Sequence, residues 1–445
     1  MAKELQSIAD DAYIFGLPLV FSLEQIEKSL NKGFGSHHQL PYNAFKHQTE
    51  LADATNQFVS VNNDTAYSVA SLDLSVGPIK LEIPEINRYY VFQFVDAWTN
   101  NFAYLGERSL GEKGGKFYIL PPNYTGTIPE GYIPIQAPTR LVEIVGRILV
   151  LGNKDLPNVK KIQDQIKLEV IYSDKKPNGV PKVSTSSTTD LLFWQKFHRF
   201  LKDNPPAARY QKLLVRYKEL GIFADDDFYD HVSDELRVTL KRAISNGQRK
   251  IHDYIKGIPE NTQNGWQMNY HIFDYNFDYF ELGTVNQAKW LLPHETESDL
   301  KAVNLQKAAA AIGGLWGLQA YEAVYLPIFV DSHNQQLNGK NQYRVTFKQT
   351  PPTDGFWSIT MYEAENFTLV DNIVNKYSVG DRTSGLHFNS DGSLTIVFSN
   401  EAPRENKENW LPTPEGDFRP ILRIYKPKEK VLNNQFVFPK IERIL

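Results

Sequence analysis

The sequence predicts a multi-domain protein of α and β structure: a β-sandwich, a mainly helical domain and a jelly-roll-like β-sandwich, in that order. Alternating apolar and polar residues with frequent Gly and Pro turns dominate up to about residue 158. Helical spacing and helix-end signals follow from 159 to 325, and the strand period returns from Tyr343. A chain of 445 residues is long enough for about two to four such domains.

The first element is a helix over about residues 3–29, because helical spacing ends there and Gly33 and Gly35 follow. We assign residues 1–36 to this helix and expect it to pack on the body of the protein. Residues 37–158 form the predicted β-sandwich. Within them, residues 79–83 alternate as a half-buried strand does, and residues 89–95 are apolar on both faces, which is typical of a central strand.

The middle domain is assigned to residues 159–325. Pro206 and Gly221 bracket one predicted helix, a second begins near Asp234, and a third covers about residues 300–321. The C-terminal sandwich is assigned to residues 326–445. It has strand patterns at 343–347, 356–362, 394–398 and 418–425, which turn signals separate and which suit a jelly-roll-like sandwich.

Composition excludes several classes of protein. There are 48 Lys and Arg against 52 Asp and Glu, so a dedicated nucleic-acid binder is not expected. No run of about 18 apolar residues predicts a membrane span. Zero cysteine excludes thiol nucleophiles and disulfides. We expect a cytoplasmic chain as written, or a secreted or periplasmic one if a signal was removed. A homodimer is the default expectation from oligomer statistics.

Several common catalytic and nucleotide-binding motifs are absent from the sequence. It has no Gly-x-Ser-x-Gly elbow, no phosphate-binding Gly-x-x-x-x-Gly-Lys loop and no Gly-x-Gly-x-x-Gly turn. His37, His38 and His47 lie near one another in sequence, but a solvated loop is a better interpretation than a metal site. We therefore expect no cofactor and no metal.

Residues 57–73 are the most informative stretch. A short strand is predicted to run into a polar turn, so Asn63, Asp64 and Thr65 would lie at the end of a sheet, with Tyr67 just beyond. Such clusters often carry chemistry. The alternative is a structural one, since Asn and Asp also form tight turns through side-chain bonds to their own backbone.

A second cluster follows the central strand. Asp96 ends an apolar strand face, and Thr99 and Asn100 lie in the loop after it. A carboxylate against aromatic walls tends to have a raised pKa, which suits a general acid or base. The alternative is that Asp96 caps the loop by accepting backbone N–H groups. If the strands of Asp64 and Asp96 pair, the two carboxylates would meet at one sheet end and divide the acid and base roles.

The C-terminal sandwich offers a third group. Trp410 lies in a segment with the character of an exposed loop, and Arg423 and Tyr425 are close to the end of a strand. Trp and Arg together suit a flat polar ligand such as a sugar or carboxylate. An Arg that pins the loop to the sandwich is an equally good interpretation.

Long motifs in order along the chain resemble a family built from domain of unknown function 1254 and, in its C-terminal half, domain of unknown function 1214. These motifs include DAYIFGLPLV, VNNDTAYSVASLDLSVGP, RYYVFQFVDAWTNNFAYLGER, GFWSITMYEAENFTLVDN, NSDGSLTIVFSNEAP and NWLPTPEGDF. The resemblance implies an immunoglobulin-like sandwich near the N-terminus, a helical middle and a jelly-roll-like C-terminal sandwich. It transfers no activity and no catalytic residue.

The functional expectation is a hydrolase for a small polar or glycan-like compound, with its site in a cleft between the sandwiches. Asp64 and Asp96 are the predicted acid and base. The predicted substrate-binding residues are Asn63, Thr65, Tyr67, Thr99, Asn100, Trp410, Arg423 and Tyr425. The alternative is a non-catalytic ligand-binding or assembly protein, in which the polar strand-end residues point apart.

Overall fold

A long amphipathic helix opens the chain. The computed structural model describes residues 2–33, 41–56, 60–183, 189–257 and 261–444. Helix α1 covers Ala2–Lys32, which confirms the predicted N-terminal helix. Its apolar residues pack against three later helices and cover one end of the first sandwich, so the helix is part of the body.

In the described residues, the N-terminal sandwich has nine strands in two sheets. They are β1 (Lys46–His47), β2 (Thr65–Asp73), β3 (Ile79–Ile83), β4 (Tyr90–Asp96), β5 (Asn101–Gly106), β6 (Gly115–Leu120), β7 (Ile133–Gln136), β8 (Leu141–Leu149) and β9 (Lys167–Val170). One sheet has the order β1-β2-β8-β4-β5 and the other β7-β6-β3-β9. Their facing apolar side chains form one core, so the sheets are open and make a sandwich rather than a barrel. Strand β9 lies beyond residue 158, where we expected the sandwich to end.

The five-stranded sheet is covered on both faces. Its inner face forms the sandwich core. On its outer face, Val95, Leu141 and Val145 pack against the helices, whereas Tyr89 and Val91 pack against the C-terminal sandwich. Every residue of β4 is therefore buried, which confirms its prediction as a central strand.

The middle of the chain is mainly helical. Two short helices, α2 (Glu107–Leu110) and α3 (Leu156–Gln163), belong to the sandwich; α4 (Leu192–Asp203), α5 (Gln211–Arg216), α6 (Asp234–Lys256) and α7 (Glu297–Gly314) follow. The helix predicted between Pro206 and Gly221 is shorter than expected, because 3₁₀ turns flank α5 on both sides. Helix α7 ends at Gly314, earlier than predicted; its run of small residues lets it approach α1 and α6.

The C-terminal sandwich follows a short hairpin of β10 (Thr262–Gln263) and β11 (Trp266–Gln267). Its elements are β12 (Ala323–Pro327), β13 (Tyr343–Phe347), β14 (Trp357–Glu363), β15 (Ser378–Gly380), β16 (Leu394–Ser399), β17 (Trp410–Pro412), β18 (Phe418–Tyr425), α8 (Glu429–Leu432) and β19 (Ile441–Arg443). The sheets β12-β18-β14-β15 and β17-β16-β13-β19 enclose a second core. The predicted order of sandwich, helical domain and sandwich is confirmed.

Candidate functional site

The two predicted catalytic carboxylates lie at opposite ends of the five-stranded sheet. Strand β8 pairs with both β2 and β4, so positions along it give the distance between the two carboxylates. The Asp64 carbonyl accepts the Val150 N–H just beyond the end of β8, and Asp96 is opposite Val142 near its start. Val142 and Val150 are eight residues apart, which corresponds to about 26 Å along a strand at about 3.3 Å per residue. The expectation that these carboxylates share one hollow is wrong. Strands β2 and β4 both run antiparallel to β8 and therefore run in the same direction. Asp64 precedes β2 and Asp96 is the last residue of β4, so the two residues lie at opposite ends of the sheet.

Asp64 joins the two sandwiches. It is 1 % exposed. Its Oδ2 accepts the Ser358 hydroxyl at 2.6 Å, and its Oδ1 accepts Arg382 Nη2 at 2.6 Å. Both partners belong to the C-terminal sandwich. Each carboxylate oxygen is already bonded, so the geometry assigns Asp64 an interface role and leaves no free oxygen for proton transfer.

The polar turn around Asp64 serves the same interface. Asn62 Oδ1 accepts the N–H groups of Asp64 at 2.8 Å and Thr65 at 3.0 Å, which is the side-chain turn of the structural alternative. The Asn62 amide donates to the hydroxyls of Tyr67 and Tyr425, each at 3.1 Å. Predicted residues Thr65, Tyr67 and Tyr425 are thus brought together with Asp64. In the strand predicted before this turn, residues 57–59 lie outside the described residues.

Three other predicted binding residues are placed differently. Asn63 donates to the Ala52 carbonyl, which anchors the turn to its own domain. Arg423 is on β18 beside this interface, where its Nη2 donates to the Ser60 carbonyl at 2.6 Å. Trp410 is not in an exposed loop: it is buried in β17, in the sheet that does not contain Arg423, and its indole N–H donates to the Ser399 carbonyl at 2.9 Å. The predicted pairing of Trp410 with Arg423 around one ligand is wrong, because the two sheets of the sandwich separate them.

The opposite end of the sheet has a different character. Asp96 Oδ1 accepts the N–H groups of Trp98 at 2.9 Å and Asn100 at 2.8 Å, and Oδ2 accepts the Asn100 amide at 2.8 Å. This is the predicted loop cap. Burial raises the pKa of Asp96. Between the capped positions, Thr99 has a φ of 65°, a strained value for a β-branched residue.

A buried lysine completes this end. Lys307 of α7 is 5 % exposed, and its Nζ donates to Asn100 Oδ1 at 2.8 Å. Burial lowers the pKa of Lys307 from 10.5 to about 8, and the nearby Asp96 carboxylate opposes this shift. The Tyr275 ring lies 5.0 Å from Nζ. Asp96, Asn100 and Lys307 therefore form one polar chain, which we call the Lys307 cluster.

The Lys307 cluster lies at the base of a slot between the first sandwich and the helices. The slot is lined by Phe15, Pro18, Asp96, Trp98, Asn100, Thr139, Pro205, Pro206, Ala207, Tyr210, Asp278, Tyr279, Asn304 and Lys307. Its free volume is about 10 Å³, room for about one water molecule. Among the described residues, the Asn304 amide and the hydroxyls of Tyr210 and Tyr279 have no hydrogen-bond partner.

Sequence reasoning missed Lys307 and Asn304. They are one helical turn apart on α7, so they share a face of that helix. The available signal was a lysine followed directly by a segment of mostly small residues, AAAAIGG, which predicts close packing around the lysine. We interpreted that run as packing alone.

Two family models match the chain. Residues 42–170 match the family described as a protein of unknown function (DUF1254), and residues 322–429 match the one described as a protein of unknown function (DUF1214). The chain has this two-domain arrangement. The family resemblance that the sequence motifs predicted is confirmed. Neither family description gives an activity.

Two solved structures align with the chain. The chain is similar to the crystal structure of the VPA0106 protein from Vibrio parahaemolyticus, with a TM-score of 0.73 and 22 % identity over 99 % of this chain and 100 % of that one. An uncharacterised protein from Burkholderia cenocepacia aligns with a TM-score of 0.46 and 11 % identity, over 100 % of this chain and 99 % of that one. The first match shows the fold. None of the curated proteins compared with the chain matches it.

Two further features of the described residues concern membranes and metals. No helix there is both long and apolar enough to cross a bilayer. No group of three or more His, Cys, Asp or Glu side chains in the same residues is arranged to hold a metal ion. His37 and His38 lie outside the described part of the chain. The homodimer and the cytoplasmic location stay predictions.

Proposed function

We propose that the mouth of the slot above the Lys307 cluster binds a small polar compound with a carbonyl or carboxylate group, because the slot itself holds about one water molecule, and that the protein hydrolyses this compound by acid–base chemistry. The observation that carries this proposal is a buried lysine amine at a partly open, aromatic-walled slot, whose other polar groups have no hydrogen-bond partner among the described residues. Such a combination of a cavity with perturbed titratable groups is typical of active sites.

The unpaired groups indicate what kind of compound fits. Lys307 has three N–H donors and uses one on Asn100, while the Asn304 amide and the phenols of Tyr210 and Tyr279 donate to none of the described residues. Donors predominate, so the compound would present acceptor oxygens. The aromatic walls suit a short apolar portion. None of the described lining residues comes from the C-terminal sandwich, so the proposed site is not the cleft between the sandwiches.

Lys307 is the proposed general base. An amine with a pKa of about 8 is partly neutral near physiological pH, and a neutral amine accepts a proton from water. The slot has room for about one water molecule next to it. Asp96 is a positioning residue in this proposal, because its oxygens hold the loop that presents Asn100 to Lys307.

Hydrolysis of small 4-nitrophenyl esters and glycosides, measured from pH 6 to 10 on the full chain, tests the proposal. We expect a rate that rises through about pH 8, and a loss of about 100-fold or more in Lys307→Met, as for other general bases. Lys212→Met is the matched control, since Lys212 is exposed on α5. Equal rates in folded Lys307→Met and the wild type would show that this lysine is not the base.

A second candidate is a non-catalytic binding protein. It is favoured by the loop contacts of Asp96, whose two oxygens accept three hydrogen bonds, so this carboxylate stabilises the loop and does not serve as a general acid beside Lys307. In that case acetate or glycolate would raise the melting temperature of the wild type and not of Lys307→Met, while no ester or glycoside would turn over. Binding with turnover supports the first candidate, and binding without it supports the second.

A further inference from the structure

Two buried arginines lie on the face of β18 that meets the first sandwich. Side chains alternate along a strand, so Arg419, Ile421, Arg423 and Tyr425 share this face. Arg419 is 9 % exposed and Arg423 is 2 % exposed. Ser60 contacts both: its hydroxyl accepts Arg419 Nη2, and its carbonyl accepts Arg423 Nη2. The two guanidinium groups are therefore held beside each other.

Most of their remaining donors are unsatisfied. Nε and Nη1 of Arg423 and Nε of Arg419 are buried and have no hydrogen-bond partner among the described residues. A buried donor without a partner destabilises the fold, and more so when it is charged. Three such donors on two neighbouring side chains are far from the usual pattern of buried polar groups.

The positive charges of Arg419 and Arg423 are also not neutralised within the described residues. In the described part of the chain, neither arginine forms an ion pair with a carboxylate. Asp64, the nearby acid, uses both oxygens on Ser358 and Arg382. Burial, with a further contribution from the positive charge of Arg423, lowers the pKa of Arg419 to about 10. An anion between the two groups would neutralise the charge and satisfy the donors together.

Aromatic rings enclose the pair, and the unpaired donors are buried behind them. The Arg419 guanidinium carbon lies 3.9 Å from the centre of the Phe367 ring, and that of Arg423 lies 5.4 Å from the Tyr362 ring. Phe367 and Phe329 are half-buried, so solvent reaches this edge of the interface. A planar or tetrahedral oxyanion suits forked guanidinium donors better than chloride does.

We propose that Arg419 and Arg423 form a binding site for a small oxyanion, a carboxylate or a phosphate, at the interface of the two sandwiches. The site is separate from the Lys307 cluster and shares no residue with it. A bound anion would connect the polar turn at Ser60 to β18 and so hold the sandwiches together.

Isothermal titration of the full chain with inorganic phosphate and with oxalate, against chloride at matched ionic strength, tests this site. We expect at least one oxyanion to bind, and Arg423→Gln to weaken binding by about tenfold or more, since a hydrogen bond to a charged group is worth about 1.5–3 kcal/mol. Arg344→Gln is the control, because Arg344 is exposed and its one ion pair within the described ranges is with Glu442. The two titrants distinguish a phosphate site from a carboxylate site.

A second variant covers the case in which Arg423→Gln fails to fold. Arg423→Lys keeps the charge but lacks the fork, so it should fold and still bind the oxyanion more weakly than the wild type. A crystal grown with phosphate should show density within hydrogen-bond distance of Arg423 Nη1. Heat of binding no different from chloride, full affinity in Arg423→Lys, or only water at these donors would overturn the proposal. Lys307→Met should bind phosphate as the wild type does, which separates this test from that of the proposed function. Oxalate is a carboxylate that the slot would also take, so the effect of Arg423→Gln on oxalate binding is measured in the Lys307→Met background.

Discussion

The two ends of the five-stranded sheet use similar residues for different purposes. At one end Asp64 contacts Ser358 and Arg382 of another domain, and every oxygen has a partner. At the other end Asp96 caps its own loop, and beside it Lys307, Asn304 and two tyrosines have donors with no partner in the part of the chain that the structure describes. A buried carboxylate at a strand end is therefore not by itself evidence of chemistry. What distinguishes the two ends is whether neighbouring polar groups are satisfied.

The largest expected effect is at the Asp64 end. Asp64→Ala removes the carboxylate partner of Arg382 and leaves that guanidinium largely buried, so we expect a loss of about 3–5 kcal/mol in the free energy of unfolding. Urea denaturation measures it. Glu442→Ala is the matched control, because its pair with Arg344 is exposed and should contribute less than about 1 kcal/mol. Equal losses in the two variants would contradict an interface role for Asp64.

The next largest effect is a pH dependence of the free energy of unfolding, which we expect at the Lys307 end of the sheet. The pKa of Lys307 is about 8 in the folded protein and 10.5 in the unfolded chain. Between these values the unfolded chain binds more protons, so stability rises with pH through this window, by about 3 kcal/mol for a shift of this size.

The measurement is the difference in unfolding free energy between the wild type and Lys307→Met from pH 7 to 11. Taking the difference removes contributions from other groups, such as Lys376, whose pKa burial also lowers to about 8. A difference that stays flat over this range would place an ordinary lysine at position 307.

The smallest expected effect concerns the loop that Asp96 caps. Thr99→Gly relieves a positive φ at a β-branched residue, so the free energy of unfolding should increase by about 1 kcal/mol after the entropy of glycine is counted. Asn123→Gly is the control, since Asn123 has a φ of 59° in an exposed turn and asparagine tolerates that region. We also expect Thr99→Gly to weaken acetate binding at the slot, because the loop would present Asn100 less rigidly. A destabilised Thr99→Gly would show that the contacts of the threonine outweigh its strain.

The sequence was sufficient for the architecture because periodicity and turn residues are local signals. Strand β3 and helix α1 follow directly from their spacing. The site was harder to predict, since it depends on which strand pairs with which. Asp64 and Asp96 were correctly placed at strand ends, but their separation depends on β8, which follows both in the chain. Lys307 was missed because its importance comes from burial against Asn100, about 200 positions earlier, and no spacing in α7 reports that contact.

The double covering of the five-stranded sheet has a consequence for how the chain can be divided. The two matched family regions, 42–170 and 322–429, look like separable modules in sequence. A fragment of residues 42–170 alone would lack α1 and β18. The outer side chains of β4 and β8 would then be exposed to water, so the fragment would tend to aggregate. We therefore expect the two sequence modules to fold together, because the helices and the C-terminal sandwich bury the outer face of the five-stranded sheet.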